Sequence, residues 1–151
     1  MENRETLPSP EKEKLTTLMS LDGHIFPVEE AVIVELRAIR RLLPAAGDAT
    51  IPISQVTGQI LAKIIDYCRK HNDHKLNRLR DEEISAWDRH FVDVDEELLF
   101  DLLVASHFLE VKDLFYLTVT TVTDTMKTKS PAQVGNMDQL RNLFISNFRL
   151  D

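Results

Sequence analysis

The sequence is poor in the residues that build covalent, metal-bound or phosphate-binding sites. Its 151 residues include one cysteine, Cys68, which excludes an intramolecular disulfide and a thiolate cage for zinc and points to a reducing compartment. Glycine occurs 4 times and proline 6 times, scattered along the chain, so neither a Gly-rich phosphate cradle nor a flexible Gly/Ser linker is available. No apolar run approaches the ~20 residues that cross a bilayer. Met1 to Lys14 is polar and rich in Glu and Lys, so neither a membrane span nor a secretory signal is expected. Basic residues are in deficit: 18 Lys and Arg against 25 Asp and Glu leave a formal net charge of −7. That is the wrong sign for a phosphate backbone, and nucleic acid is not expected as a partner.

What is present is an ordinary globular composition, 43% hydrophobic and 28% charged, at a length that fits one domain plus tails. Residues 1–13 carry Pro8, Pro10 and mixed charges but little to bury, and read as a mobile tail. From Leu15 to Val28, apolar residues flank Asp22-Gly23, a pair suited to the positive φ angles of a two-residue hairpin turn, which predicts a β-hairpin. Glu29-Glu30 then place negative charge on the first turn of a helix expected to run to about Leu43, before Pro44. Ala45 to Thr50 reads as a loop and Ile51-Pro52-Ile53 as a short strand, where Pro52 argues for a sheet edge.

The clearest amphipathic helix follows. Thr57 is its expected N-cap, Val56 and Leu61 hold the staple positions, and Ile60, Leu61, Ile64, Ile65 and Cys68 form one stripe opposite Lys63, Asp66 and Lys70. His71 to Glu83 is polar and mixed in charge, and is expected to be an exposed connection between two structural halves. Asp95 with Glu96-Glu97 opens a run through Leu109 that is apolar nearly all round, as in a helix buried on most sides. Leu114 to Lys127 fits both a strand, through its β-branched residues, and a helix, through the face Leu114, Leu117, Thr118, Thr121 and Val122. Ser130-Pro131-Ala132-Gln133 has the capping Ser, first-turn Pro and third-position Gln of a helix start, with another helix expected around Met137 to Phe148.

Enzymatic constellations are weak. His71 and His74 with Asp73 offer metal-ligating groups, but no distant Cys completes a site. Ser85, His90 and Asp93 lack a nucleophile elbow and read as scattered surface groups. Asp93, Asp95, Glu96 and Glu97 lack the glycine and spacing of a calcium loop, and a helix N-terminus accounts for them. Cys68 reads as a core thiol, and Trp87 and Phe91 as aromatics that pin a loop or anchor an interface. No catalytic residue, metal, cofactor or small-molecule substrate is expected, and function is assigned to surfaces.

The order of several segments carries a resemblance. SLDGHIFPVEEAV from Ser20 to Val32, IPISQVTGQILAKIIDYCRKH from Ile51 to His71, WDRHFVDVD from Trp87 to Asp95, LFDLLVASHFLEVKDLFYLT from Leu99 to Thr118 and MKTKSPAQV from Met126 to Val134 together resemble the S-phase kinase-associated adaptors of SCF ubiquitin ligases, plant members in particular. The likeness runs from about Lys14 to Val134. It implies an α/β fold with a BTB/POZ-like body, a small sheet plus helices over residues 14–129, and C-terminal helices that hold an F-box, with 130–151 a divergent extension. It also resolves the Thr-rich run as helix. The implied role is a non-enzymatic bridge between the N-terminal region of a cullin and F-box substrate receptors, in the nucleus and cytoplasm.

Carried over by position, the family's Asn-Tyr pair at the cullin face falls on His107 and Phe108. Phe108 keeps the aromatic anchor without the hydroxyl, and His107 replaces an amide with an imidazole. Phe100, Phe115, Val122, Met126 and Val134 fall where the family presents apolar groups to the F-box. The departures are C-terminal: the family's Thr-Pro-Glu-Glu-Ile motif and Trp-containing tail are replaced by Ser130-Pro131-Ala132-Gln133-Val134, Gly135 and the segment to Asp151. The alternatives are a BTB-like interaction protein that has lost F-box or cullin binding and acts as a decoy, and a small metal-dependent hydrolase built on His71 to His74.

Overall fold

The computed structural model describes residues 15–43 and 48–128. The N-terminal tail, the helix start at Ser130, Val134 and the helix around Met137 to Phe148 lie outside the described residues. The chain forms two compact units, Met1–Ile84 and Ser85–Asp151.

In the first unit, β1 (Leu15–Met19) pairs antiparallel with β2 (Ile25–Glu29), Thr17 facing Pro27 and Leu18 facing Phe26. The expected hairpin is there, but its turn is not a two-residue one. Ser20 N–H donates to the His24 carbonyl (2.9 Å) and Gly23 N–H to the Ser20 carbonyl (3.0 Å), enclosing Leu21, Asp22 and Gly23. Only Gly23 takes a positive φ, +86°. This is the three-residue loop in which one left-handed residue absorbs the twist of the strands, so Asp22 is spared that conformation and keeps its carboxylate for other work.

β3 (Ile51–Pro52) lies parallel to β1 on its other side, giving the order β2-β1-β3. Pro52 is on a sheet edge, as its missing N–H requires. Both edges carry a proline that faces away from β1. Ile53 N–H turns in to the Met19 carbonyl (2.7 Å), which turns Pro52 outward, and the Ser20–His24 pairing turns Pro27 outward by the same alternation.

The single helix expected from Glu30 to Leu43 is instead broken into α1 (Glu30–Ile33) and α2 (Arg37–Arg40). Leu36 departs from helical geometry at φ −88°, ψ 78° and is completely buried. Three successive β-branched residues, Val32 to Val34, weaken the helix just before this point. Burial of Leu36 together with Val32, Ile33 and Ile39 outweighs the backbone bonds a continuous helix would add.

α3 (Gly58–Lys75) matches its expected start: the Thr57 hydroxyl accepts from Ile60 N–H at 3.4 Å, and the staple residues Val56 and Leu61 are buried. The whole stripe from Ile60 to Cys68 is buried, with Tyr67 added to it. Each of its large aliphatic side chains contributes roughly 1.5–3 kcal/mol by leaving water. The polar stretch from His71 to Glu83 corrects the expected connection. α3 continues to Lys75, α4 (Asp81–Phe91) begins six residues later, and only Leu76 to Arg80 link them. Polarity here marks the end of one helix, a short link and the start of the next, tied by local bonds: His74 Nε2 meets Asp81 at 2.8 Å, Arg80 N–H donates to Glu83 at 2.8 Å, and Arg78 reaches Asp73 at 3.4 Å.

In the second unit, Trp87 and Phe91 stack one turn apart on α4 at 4.9 Å. α5 (Glu96–Leu109) is capped by Asp95, whose carboxylate accepts from Leu98 N–H at 2.8 Å. Leu99, Leu102, Leu103, Ala105 and Leu109 are buried, while Phe108 stands 41% exposed, so burial is less complete than the all-round apolar pattern suggests. α6 (Lys112–Thr128) settles the Thr-rich run as helix.

Candidate functional site

The cullin-side pair sits at the end of α5, and the way that helix ends determines how the pair is presented. Glu110 adopts the left-handed conformation (φ 59°, ψ 48°). Its N–H donates to the His107 carbonyl (3.2 Å), and Val111 N–H donates to the Ser106 carbonyl (2.9 Å). These two bonds make a Schellman terminus, which satisfies the last carbonyls and turns the chain sharply into α6. Buried Leu109 and Val111 flank the turn, so the backbone under His107 and Phe108 is fixed from both sides. Ser106, itself fully buried, donates its hydroxyl to the Leu103 carbonyl at 2.9 Å and adds no unsatisfied group.

From this base the two side chains diverge in exposure. Phe108 is among the large apolar residues left open to solvent. His107 is half-buried, and its ring lies 5.2 Å from that of Phe115 at a 48° tilt. A cullin-side residue of the sequence reading therefore packs against an F-box-side residue of α6. Phe100, Phe115, Val122 and Met126 are all half-buried; each is partly inside its own unit and partly available. Sequence reasoning missed Tyr116, among the described residues the most exposed large apolar one at 74%. Its signal was its place off the α6 face formed by Leu114, Leu117, Thr118 and Thr121.

Charge is concentrated at the start of α5. Desolvation, with Glu97 and Asp95 close by, pushes the Asp101 carboxyl above its ordinary value. In the first unit, Arg69 grips Glu29 with two bonds of 2.9 and 3.0 Å, which holds the Glu29 carboxyl below its usual range. An open cavity of about 260 Å³ between β2 and α3 is lined by Phe26, Pro27, Ala62, Ile65, Asp66 and Arg69. Asp22 accepts from the Ser20 hydroxyl (2.6 Å) and from Gly58 N–H (2.8 Å), tying the hairpin loop to the first residue of α3. Those bonds lower its carboxyl.

His71 and His74 lie on α3, one stacked on Tyr67 at 4.1 Å and the other paired with Asp81. Among the described residues no group of three His, Cys, Asp or Glu side chains is placed to hold a metal ion. Ser85, His90 and Asp93 are each exposed. Cys68 is buried, and desolvation pushes its thiol up to about 12, which leaves it without thiolate character at neutral pH. No helix of the described residues is long and apolar enough to cross a membrane.

Comparison with known proteins decides what this architecture is. The profile of the Skp1 family, tetramerisation domain, matches residues 14–73. Among similar proteins, SKP1-like protein 12 of Arabidopsis thaliana is 35% identical with 87% of each chain covered, and SKP1-like protein 3 of the same plant is 39% identical at the same coverage. SKP1-like protein 1 of Oryza sativa subsp. japonica is 36% identical over 88% of this chain and 87% of its own.

The chain belongs to the Skp1 family.

The small three-stranded sheet with its helices is the Skp1 POZ domain, and α5 and α6 belong to the C-terminal helices that follow it. Skp1-family adaptors are non-enzymatic, in keeping with the expectation that this protein acts through surfaces.

Proposed function

We propose that the protein is the adaptor subunit of an SCF-type ubiquitin ligase, bridging the N-terminal region of a cullin to F-box receptors for ubiquitin-dependent degradation, in nucleus and cytoplasm. It works by binding alone and uses no cofactor. Family membership across 87% of the chain is the observation that carries this reading. In it, Phe108 with His107 forms the cullin contact, and Phe100, Phe115, Val122 and Met126, together with Val134 and the extension over residues 130–151, form the F-box contact. An exposed aromatic on a backbone fixed by a Schellman terminus suits a hot spot, because little backbone freedom is left to lose on docking.

The test is binding of the purified chain to a cullin N-terminal region and, separately, to a panel of F-box proteins. Phe108→Ala is expected to weaken the cullin complex by about tenfold or more and leave F-box binding intact, while truncation after Lys129 does the converse. One observation favours a second reading. The His107 ring is engaged with Phe115, so a cullin contact that needs His107 turned outward competes with packing inside the chain. Binding of one partner without the other, cullin without F-box or F-box without cullin, would make the protein a decoy, and failure of both partners, with the chain shown to be folded, would overturn the ligase reading.

A further inference from the structure

Leu117 to Thr125 reads LTVTTVTDT, with seven β-branched residues in nine. Such residues lose χ1 freedom in a helix and favour strands, yet this stretch is helical. Burial holds only one side of it: Thr118 is fully buried, Leu117, Val119, Thr121, Val122 and Thr125 are half-buried, and Thr120, Thr123 and Asp124 are exposed. The hydroxyls take part instead. Thr118, Thr120, Thr121 and Thr123 each donate to the carbonyl four residues back, at 3.0, 2.8, 2.8 and 2.9 Å. Back-bonding of this kind satisfies the hydroxyl but draws on carbonyls that already accept helix bonds, and it slightly weakens a helix.

The same residues fit an extended strand without conflict. Leu117, Val119, Thr121 and Thr123 would occupy one face and Thr118, Thr120 and Val122 the other. From Leu117 to Thr123 there is no proline, glycine or charge, the composition of segments that stack on identical copies through threonine and valine ladders. The three-stranded sheet of the chain offers such a strand no template, because each of its edges bears an outward proline. The edge that complements a freed Leu117–Thr123 strand in full is the same segment of another copy.

We propose that Leu117–Thr123 is a self-recognition segment: when α6 opens locally, it pairs in register with the same segment of a second copy of this chain and seeds a cross-β assembly. The assembly is non-covalent and grows by addition of identical strands, so it depends steeply on protein concentration. Its control is the helix itself, since every helical bond retained in α6 keeps the segment from pairing.

The experiment uses the full chain. Hydrogen exchange is expected to run at least about tenfold faster at the Leu117–Thr123 amides than at Leu99–Leu109 of α5. Agitation below the unfolding temperature is expected to give thioflavin-positive fibres whose protease-resistant core contains residues 117–123. Two variants at the exposed positions keep the fold: Thr120→Lys with Thr123→Lys adds charge, and Thr120→Ala with Thr123→Ala adds helix propensity alone. The lysine pair is expected to lengthen the lag at least about tenfold, and the alanine pair to slow exchange and lengthen the lag. Exchange in α6 as slow as in α5, absence of fibres from the unsubstituted chain, a fibre core elsewhere, or variants that assemble like the original chain would each overturn the proposal.

Discussion

Glu110 holds a left-handed conformation that suits glycine, and it does so for the sake of the terminus it closes. Replacing it with glycine removes the Cβ clash while keeping both backbone bonds, so Glu110→Gly is expected to raise stability by about 0.5–1 kcal/mol, and Glu110→Val to lower it. Urea unfolding of the two variants checks both signs. Asp22 and Glu29 work through charge. Their carboxyls lie below the ordinary values of 3.8 and 4.5, so each contributes stability that is complete above its ordinary value and is lost as pH falls through the folded one. The urea midpoint of the intact protein should therefore fall as pH drops from about 5 towards 2. Asp22→Asn and Glu29→Gln should each flatten that fall, and a slope unchanged by both substitutions would count against the two tethers.

At the scale of the element, α3 organises the first unit. Ile64 is completely buried at the middle of its stripe, and Ile64→Ala should cost about 2–5 kcal/mol in chemical denaturation. This helix was legible from its cap, staple and period because local preference and tertiary burial agree there. The hairpin was legible for the same reason, although its loop length depended on the Ser20–His24 bonds, which no pattern of residue types announces. Elsewhere the two levels disagree. Periodicity reads α1 and α2 as one helix because it does not register that Leu36 is worth more in the core than in line. The His71 to Glu83 stretch reads as a connection because its many charges mask the end of one helix and the start of the next, tied by local ion pairs. The run from Leu114 to Lys127 has strand propensity and helical structure, and resemblance to a family resolved what periodicity left open.

For the whole molecule, the family and the class of fold were legible because five ordered segments agree, while the binding faces were legible only as positions. Nothing in residue type alone distinguishes Phe108, which is open, from Phe115, which shares its contact with His107. Surface position also sets a control for the binding experiment. Phe108→Ala should lower the unfolding free energy by clearly less than the about 3–5 kcal/mol of a fully buried phenylalanine, because the residue is 41% exposed. Loss of cullin binding with a modest loss of stability is then a statement about the interface, and destabilisation as large as that of a buried phenylalanine would show that Phe108 belongs to the core.

The sealed thiol of Cys68 has a practical consequence. A chain whose natural sulfhydryl is silent while it remains folded behaves towards maleimides and iodoacetamides as though it had no cysteine. A cysteine placed at Tyr116 or Phe108 would be the first to react, so a single fluorophore or spin label reports from either helix with the native residue left in place. Labelling at Cys68 itself should track global unfolding, and its rate gives a clock for how often the molecule opens completely.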